Sequence, residues 1–409
     1  MNLSLSKQVL RGTVDLVRSK SISNRLLIMQ ALAGQDGSIH EVSKAKDSQT
    51  LQYILKQLRE TEEVQVIDVG PAGTCFRFLT AFLAQRVGKY ILTGSERMKQ
   101  RPIGPLVDAL HALGASIEYL ESEGFPPLAI TGKKLKASYP ISIDASISSQ
   151  FITALLLIAP YLDSGLTLQL TNRISSKPYL TMTLALMQQQ GAACKMEGNQ
   201  IQIAPQPYIF KEVSVESDWS AAAYFYGLCA LVPGSDLLLT GLQLESIQGD
   251  ALIQQYFKDL GVSSISEDTG VRIQSKAVKN PDSWTIDFTD IPDTAQTLAV
   301  VCAALNIDLD MHGLDSLRIK ETDRILALQQ ELSKIGVPLI EKEESVFELQ
   351  TQDFKILPNT TFETYEDHRM AMSFAQLAVF ASISIDDPTV VEKSFPHFWE
   401  QLEHLGFSF

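Results

Sequence analysis

Hydrophobic residues along this chain fall into two kinds of helical run that take turns. One kind is apolar on most faces and is opened by polar residues: "SISNRLLIMQALA", "GTCFRFLTAFLA", "SSQFITALLLIAP", "SDWSAAAYFYGL", "PDTAQTLAVVCAAL" and "EDHRMAMSFAQLAVF". Such runs predict buried helices. Between them, in strict alternation, stand amphipathic segments: "LQYILKQL", "LVDALHALGA", "TLALMQQQGA", "IQQYFKDLGV", "LALQQELSKIGV" and "FWEQLEHLGF". Five of these end at a glycine (Gly114, Gly191, Gly261, Gly336, Gly406), the residue that favours a helix C-terminus. Most lead into short strand-like stretches such as "ASIEYL" and "VPLIEKE".

The glycines are spaced 77, 70, 75 and 70 residues apart. The repeating unit is therefore about 70 residues, with one buried helix, one amphipathic helix and several short strands, and six such units account for the chain. A lone unit cannot cover its own buried helix. Three units clustering with strands outside and apolar helices inside give one domain, so the chain of 409 residues predicts two similar domains meeting near "VSVESDWS".

Composition narrows the function. The chain is 45% hydrophobic and 20% charged, with a net charge of −14 that argues against nucleic-acid or anionic-membrane partners. "MNLSLSKQVLRG" lacks the apolar core of a signal peptide and no apolar run reaches membrane-spanning length, so a cytoplasmic protein is expected. Cys75, Cys194, Cys229 and Cys302 form no CxxC pair, and the histidines show no ligand spacing, so no metal is called for.

Against this acidic background, cations recur at or near the starts of the apolar runs. Lys20 and Arg25 flank "SISNR", Arg77 follows "GPAGT", and His368 and Arg369 stand in "EDHRM". "RMKQRP" (Arg97, Lys99, Arg101), "KETDR" (Lys320, Arg324) and "EKSFP" (Lys393) add more. A helix N-terminus is the positive pole of its dipole and disfavours cations unless an anion joins them, so the recurrence points to a shared anion-binding cleft. "SISSQ" (Ser148, Ser149, Gln150) and "SSKPY" (Ser176, Lys177, Tyr179) offer neutral donors for phosphate and hydroxyl oxygens. The glycines of "GPAGT" let a ligand approach the backbone, and the stretch lacks the lysine of a nucleotide P-loop. The spacing in "KETDR" predicts Lys320 and Arg324 on one helical face beside Glu321, and "IPDTAQT" predicts Asp293 as the N-cap of a buried helix. Asp293 and Glu321 are carboxylates that could move protons inside a cationic cleft. The residues alone point to an enzyme acting by acid–base chemistry on phosphorylated, carboxylated small molecules between two domains.

"SKSISNR", "GPAGTCFR", "RMKQRPI", "SISSQFITALL", "SKPY", "IPDTAQT", "KETDR", "DHRMAM" and "KSFPHF", in this order, resemble the 5-enolpyruvylshikimate-3-phosphate synthase family along nearly the whole chain. The resemblance implies an inside-out α/β barrel of two domains, 20–216 and 1–19 with 217–409, each of three βαβαββ repeats, with the active site in the cleft between them. It implies transfer of the enolpyruvyl group of phosphoenolpyruvate to the 5-hydroxyl of shikimate 3-phosphate, with release of inorganic phosphate and without metal or cofactor, by a monomer. Carried over by motif, the shikimate 3-phosphate set is Lys20, Ser21, Arg25, Ser148, Ser149, Gln150, Ser176, Asp293, Ser316 and Lys320. The phosphoenolpyruvate set is Lys20, Gly73, Arg101, Gln150, Arg324, Arg369 and Lys393. Asp293, Glu321 and Lys20 take the catalytic roles.

The chain departs from the family's usual residues at Val17 and Arg18 (Pro-Gly), Pro71 (Asn), Phe78 (Pro) and Ser316 (Asn), and Pro71 removes one expected contact near phosphoenolpyruvate. Gly73 stands where a methyl group would crowd phosphoenolpyruvate mimics, which implies sensitivity to glyphosate. Two other readings compete. The enolpyruvyl transferase acting on UDP-N-acetylglucosamine carries a cysteine in the loop matching "RMKQRPI", which this chain lacks, and a non-catalytic phospholigand-binding paralogue would have lost Asp293, Glu321 and Lys20.

Overall fold

Each of the six apolar runs is a helix: Lys20–Ala33, Gly73–Gln85, Ser149–Ile158, Trp219–Leu231, Ala295–Ala304 and His368–Ala375. Most of their side chains are buried, as runs apolar on most faces must be. The structure is a computed structural model describing residues 1–34, 37–60, 65–137 and 139–409. It divides into two compact units, Ser19–Val215, and Met1–Arg18 with Glu216–Phe409. Each boundary falls one residue before the one read from the sequence. At that point Arg18 and Ser217 form an antiparallel bridge, Arg18 Nη1 donates to Ser217 Oγ (3.1 Å), and Asp218 N donates to Val17 O (2.9 Å).

The repeat is visible strand by strand. In Ser19–Val215, Gln65–Asp68 and Gly88–Thr93 are parallel neighbours connected through the buried helix Gly73–Gln85. Leu128–Gly132 then pairs antiparallel with Gly88–Thr93 and Ser116–Tyr119 closes the sheet. Ile141–Asp144, Leu166–Thr171, Gln200–Ile203 and Cys194–Glu197 repeat that order around helix Ser149–Ile158. The third repeat of this unit contributes, among the described residues, the short parallel pair Ile39–His40 and Val213–Ser214.

The other unit carries three four-stranded sheets of the same pattern. Two of them recruit the start of the chain: Arg11–Val14 lies parallel to Asp236–Thr240, and Asn2–Leu5 lies between Ile383–Ile385 and Phe407–Ser408. Strands such as Leu166–Thr171 and Gln200–Ile203 alternate buried with half-exposed residues, so each sheet keeps one face for the helices. Inside Ser19–Val215 the three buried helices pack on one another; in the other unit Ala295–Ala304 packs on both Trp219–Leu231 and His368–Ala375.

All five periodic glycines adopt left-handed φ, from 76° at Gly336 to 102° at Gly406, a conformation that side chains with a Cβ resist. Gly406 is the C-cap itself, while Gly114, Gly191, Gly261 and Gly336 follow the cap by one or two residues. Among the described residues, no helix is long and apolar enough to cross a membrane.

Candidate active site

Within Ser19–Val215, polar side chains collect at the first turns of the buried helices. Ser19 caps helix Lys20–Ala33, and the Lys20 ammonium pairs with Asp47 Oδ2 at 3.2 Å. Cys75 Sγ donates to the carbonyl of Asp47 (3.1 Å), which ties that pair to the first turn of helix Gly73–Gln85. One turn further on, Arg25 is buried. Its Nε donates to Thr183 Oγ1 (2.8 Å), Nη1 to Ser21 O (2.9 Å), and Nη2 to Tyr179 O (3.4 Å) and Thr153 Oγ1 (3.5 Å).

The guanidinium of Arg25 lies over the rings of Phe78 and Tyr179, so the phenylalanine at the unusual position serves as its aromatic floor. Burial pulls its pKa down to about 10 against the raising influence of Tyr179. Every polar partner of Arg25 is neutral. Such a buried cation gains most from an anionic ligand, because only an opposite charge offsets lost hydration.

Helix Gly73–Gln85 starts with no side-chain cap. A Cβ at Gly73 would stand 2.5 Å from Arg101 Nη1, so the absence of a side chain is what admits Arg101 to this helix end. Arg101 is buried, and its side chain has no carboxylate or hydrogen-bond partner among the described residues. Arg77, from the same motif, acts instead as a brace: it donates to Gly73 O (3.2 Å) and Pro102 O (2.9 Å) and lies over the ring of Phe151. Lys99, two residues before Arg101, pairs with Glu96 and Glu121.

Gln150 Nε2 donates to Thr74 Oγ1 (3.2 Å), which brings "SISSQ" to the Gly73 turn, and Ser148 caps helix Ser149–Ile158. Ser176 holds left-handed backbone (φ 57°, ψ 47°), a strain of about 1–3 kcal/mol for a residue with a Cβ, and its hydroxyl caps nothing. Arg25 joins Ser21 and Tyr179, and with them the starts of the helices that carry Ser21 and Ser176.

In the unit holding Glu216–Phe409 the cations are tied to carboxylates. The Asp293 carboxylate meets Arg324 Nη1 (2.9 Å), Lys320 Nζ (3.3 Å) and Arg369 Nη2 (3.1 Å), and its carbonyl accepts from Arg369 Nη1 (2.8 Å). Glu321 joins Arg324 Nη2 (2.9 Å) and Lys393 Nζ (3.2 Å). Asp367 caps helix His368–Ala375 through Arg369 N and accepts Arg324 Nε at 2.6 Å. Burial opposes charge on Asp293, yet Arg369, Lys320 and Arg324 overcome it and hold this carboxyl well below its usual range. Burial also opposes charge on Arg324, and Asp367, Glu321 and Asp293 outweigh it, raising its pKa.

Two local readings of this region are corrected. Lys320 and Arg324 do not share a helical face: Asp323 accepts from Ile325 N and Leu326 N (both 3.1 Å), so the helix begins only at Arg324 and Lys320 is extended. Asp293 is not an N-cap: it sits in the 3₁₀ turn Pro292–Thr294, and its carboxylate turns to the three cations rather than to helix NH groups. Ser316 lies in the turn Asp315–Ile319 outside this network, its hydroxyl buried without a partner among the described residues.

Sequence reasoning missed Asp47 and Asp367. Each reads locally as an ordinary first-turn or capping acid. The signal that could have found them is that a cation held at a helix start needs a carboxylate to position it, but no spacing rule names which one.

An α/β fold of repeated helix-containing units, with buried cations and ion-paired carboxylates at its helix starts, defines a class of proteins equipped for small anionic molecules and proton transfer. A family model for EPSP synthase (3-phosphoshikimate 1-carboxyvinyltransferase) matches residues 59–402, and the chain belongs to that family. It is 46% identical to a 3-phosphoshikimate 1-carboxyvinyltransferase of Bacteroides fragilis, over 99% of this chain and 97% of the relative. The corresponding protein of Neisseria meningitidis serogroup B is 34% identical, over 96% of each chain. A solved EPSP synthase from Acinetobacter baumannii has the same fold, with a TM-score of 0.77 at 21% identity and full coverage of both chains.

Proposed function

We propose that the chain transfers the enolpyruvyl group of phosphoenolpyruvate to the 5-hydroxyl of shikimate 3-phosphate and releases inorganic phosphate, a step of chorismate and aromatic amino acid biosynthesis. Family membership supports the reaction, and the observation that carries the assignment of roles is the meeting of Lys320, Arg324, Arg369 and Lys393 on Asp293 and Glu321. Residues from 20–216, and from 1–19 with 217–409, contribute to both substrate sets of this reaction.

Arg25, Lys20, Ser21, Ser148, Ser149, Gln150, Ser176, Ser316 and Lys320 bind shikimate 3-phosphate, and Asp293 faces its 5-hydroxyl. Arg101, Gly73, Gln150, Lys20, Arg324, Arg369 and Lys393 receive phosphoenolpyruvate. A buried arginine such as Arg101, with no carboxylate partner among the described residues, contributes about 1.5–3 kcal/mol per charged hydrogen bond to such a ligand.

The reaction needs a proton on the phosphoenolpyruvate methylene while the hydroxyl gives up its own proton to a base and its oxygen attacks the adjacent carbon. Phosphate then leaves from the tetrahedral adduct as the enol double bond re-forms and a proton departs. Asp293 and Glu321 move these protons with help from Lys20. The fixed arginines stabilise charge gathering on the departing phosphate without having to reorient. The working form is a cytoplasmic monomer, which sedimentation at assay concentration tests.

A phosphate-release assay with phosphoenolpyruvate and either acceptor tests the activity. Release with shikimate 3-phosphate and none with UDP-N-acetylglucosamine is expected. Release only with the nucleotide sugar, or with neither acceptor, overturns the proposal.

A further inference from the structure

Asp250 stands behind the ion-paired cluster and belongs to none of its bridges. It lies in the turn Gly249–Leu252, which packs on helix Trp219–Leu231 and runs into helix Ile253–Asp259. Its side chain is buried; Oδ2 accepts a hydrogen bond from Ser220 Oγ, and Oδ1 has no partner among the described residues. The charged groups facing it are Asp293 from the turn before helix Ala295–Ala304, Arg369 from helix His368–Ala375, and Asp218 from the cap of helix Trp219–Leu231. The helix Ile253–Asp259 turns the apolar Ile253 and Phe257 inward on its remaining side. One neutral donor is too little to hold an ionised carboxylate in such a place, and two of the three charges it faces are negative.

This position matters for the charge of the cluster. The ion pairs join four cations, Lys320, Arg324, Arg369 and Lys393, to three carboxylates, Asp293, Glu321 and Asp367. Over these seven groups positive charge exceeds negative by one, which favours an anionic ligand. An ionised Asp250 would cancel this surplus.

We propose that Asp250 is a positioning residue that acts through Asp293 and Arg369: it must carry a proton for this cluster to keep the surplus charge that attracts phosphoenolpyruvate. The proposal rests on the reaction assigned above. Burial first, and then the neighbouring Asp293, push this carboxyl up to about 7, against the lowering influence of Arg369 and Ser220. Protonation is therefore lost within the range in which an enzyme works, and substrate affinity falls with it. By linkage, bound phosphoenolpyruvate must hold the proton on Asp250 more tightly.

The test compares wild type with Asp250→Asn, a neutral side chain of the same shape. KM for phosphoenolpyruvate and kcat are measured from pH 5.5 to 8.5 at saturating shikimate 3-phosphate. The substrate's own ionisation is common to both enzymes and cancels in the ratio of their KM values. That ratio, wild type over variant, is expected to stay near one at pH 5.5 and to rise at least fivefold by pH 8.5, with kcat changing little between them. A constant ratio overturns the proposal. So does a variant whose KM is raised equally at every pH, which marks a purely structural role. If the variant does not fold, wild type labelled with ¹³C at aspartate carboxyls decides by nuclear magnetic resonance: Asp250 must titrate above pH 6 and shift upward with phosphoenolpyruvate, and ionisation complete by pH 5 overturns the idea. Absence of enolpyruvyl transfer by wild type at any pH refutes the assigned reaction instead, and the carboxyl titration then decides the protonation of Asp250 independently of turnover.

Discussion

The two units treat their buried arginines in opposite ways. In Ser19–Val215, Arg25 is buried among neutral acceptors and aromatic rings and Arg101 is buried at an uncapped helix end, with no carboxylate paired to either among the described residues. In the unit holding Glu216–Phe409, Arg324 alone meets three carboxylates, and Arg369, Lys320 and Lys393 are each paired. The first arrangement stores unfavourable desolvation that an anion relieves. The second is nearly neutral within itself, and its cations hold Asp293 in the charged form. Positive charge is thus unbalanced at Arg25 and Arg101 and balanced around Asp293.

The contrast can be broken most directly at the balanced site. Asp293→Asn is expected to lower kcat by about 10²–10⁴, the range for a lost acid–base group, while calorimetric affinity for shikimate 3-phosphate stays within a few-fold. Turnover at the wild-type rate would remove Asp293 from the mechanism. Asp367→Ala strips a wholly buried carboxylate from Arg324 and should destabilise the fold by about 3–5 kcal/mol in urea unfolding.

The same measurement should give the opposite sign at the unbalanced site. Arg101→Met is expected to be neutral or stabilising by up to about 3 kcal/mol, because it removes an uncompensated buried charge, yet to raise KM for phosphoenolpyruvate by about 10–150-fold. A destabilised Arg101→Met would erase the distinction between the units. Gly73→Ala forces Arg101 aside from a Cβ placed 2.5 Å away, so KM should rise by a smaller factor of about 3–10, and inhibition by glyphosate should weaken in parallel from a micromolar constant in wild type.

The smallest effect is in acid. Asp293 has a folded pKa depressed well below its ordinary value, so its contribution to stability is complete above about pH 4 and disappears as pH falls through the folded value. The stability gap between wild type and Asp293→Asn should therefore be widest at neutral pH and shrink toward pH 3 in urea unfolding.

Much of the architecture was legible because it depends on local periodicity. Runs such as "SSQFITALLLIAP", apolar around the whole helix, have no stable place except an interior, and glycines at intervals of about 70 residues mark where helices must stop in left-handed backbone. The cationic motifs were legible for a similar reason: charge at a helix start conflicts with the dipole and calls for an explanation. Phe78, an unexpected residue within "GTCFRF", shows where that reading stopped short, since only the folded chain places its ring beneath Arg25.

The chain by itself determined that there are alternating buried and amphipathic helices, a sixfold repeat, and a set of cations in search of an anion, because each follows from neighbours a few residues apart. Tertiary structure alone decided which carboxylate meets which cation. Asp293 with Arg369, Arg324 with Asp367, and Lys20 with Asp47 are separated by 27 to 76 positions, and Coulomb energy depends on distance through space. It also decided that Arg77 braces a turn while Arg101 is left without a partner among the described residues. Two arginines in adjacent motifs carry the same charge in the sequence, and only the folded chain gives carbonyls to one and an uncapped helix end to the other.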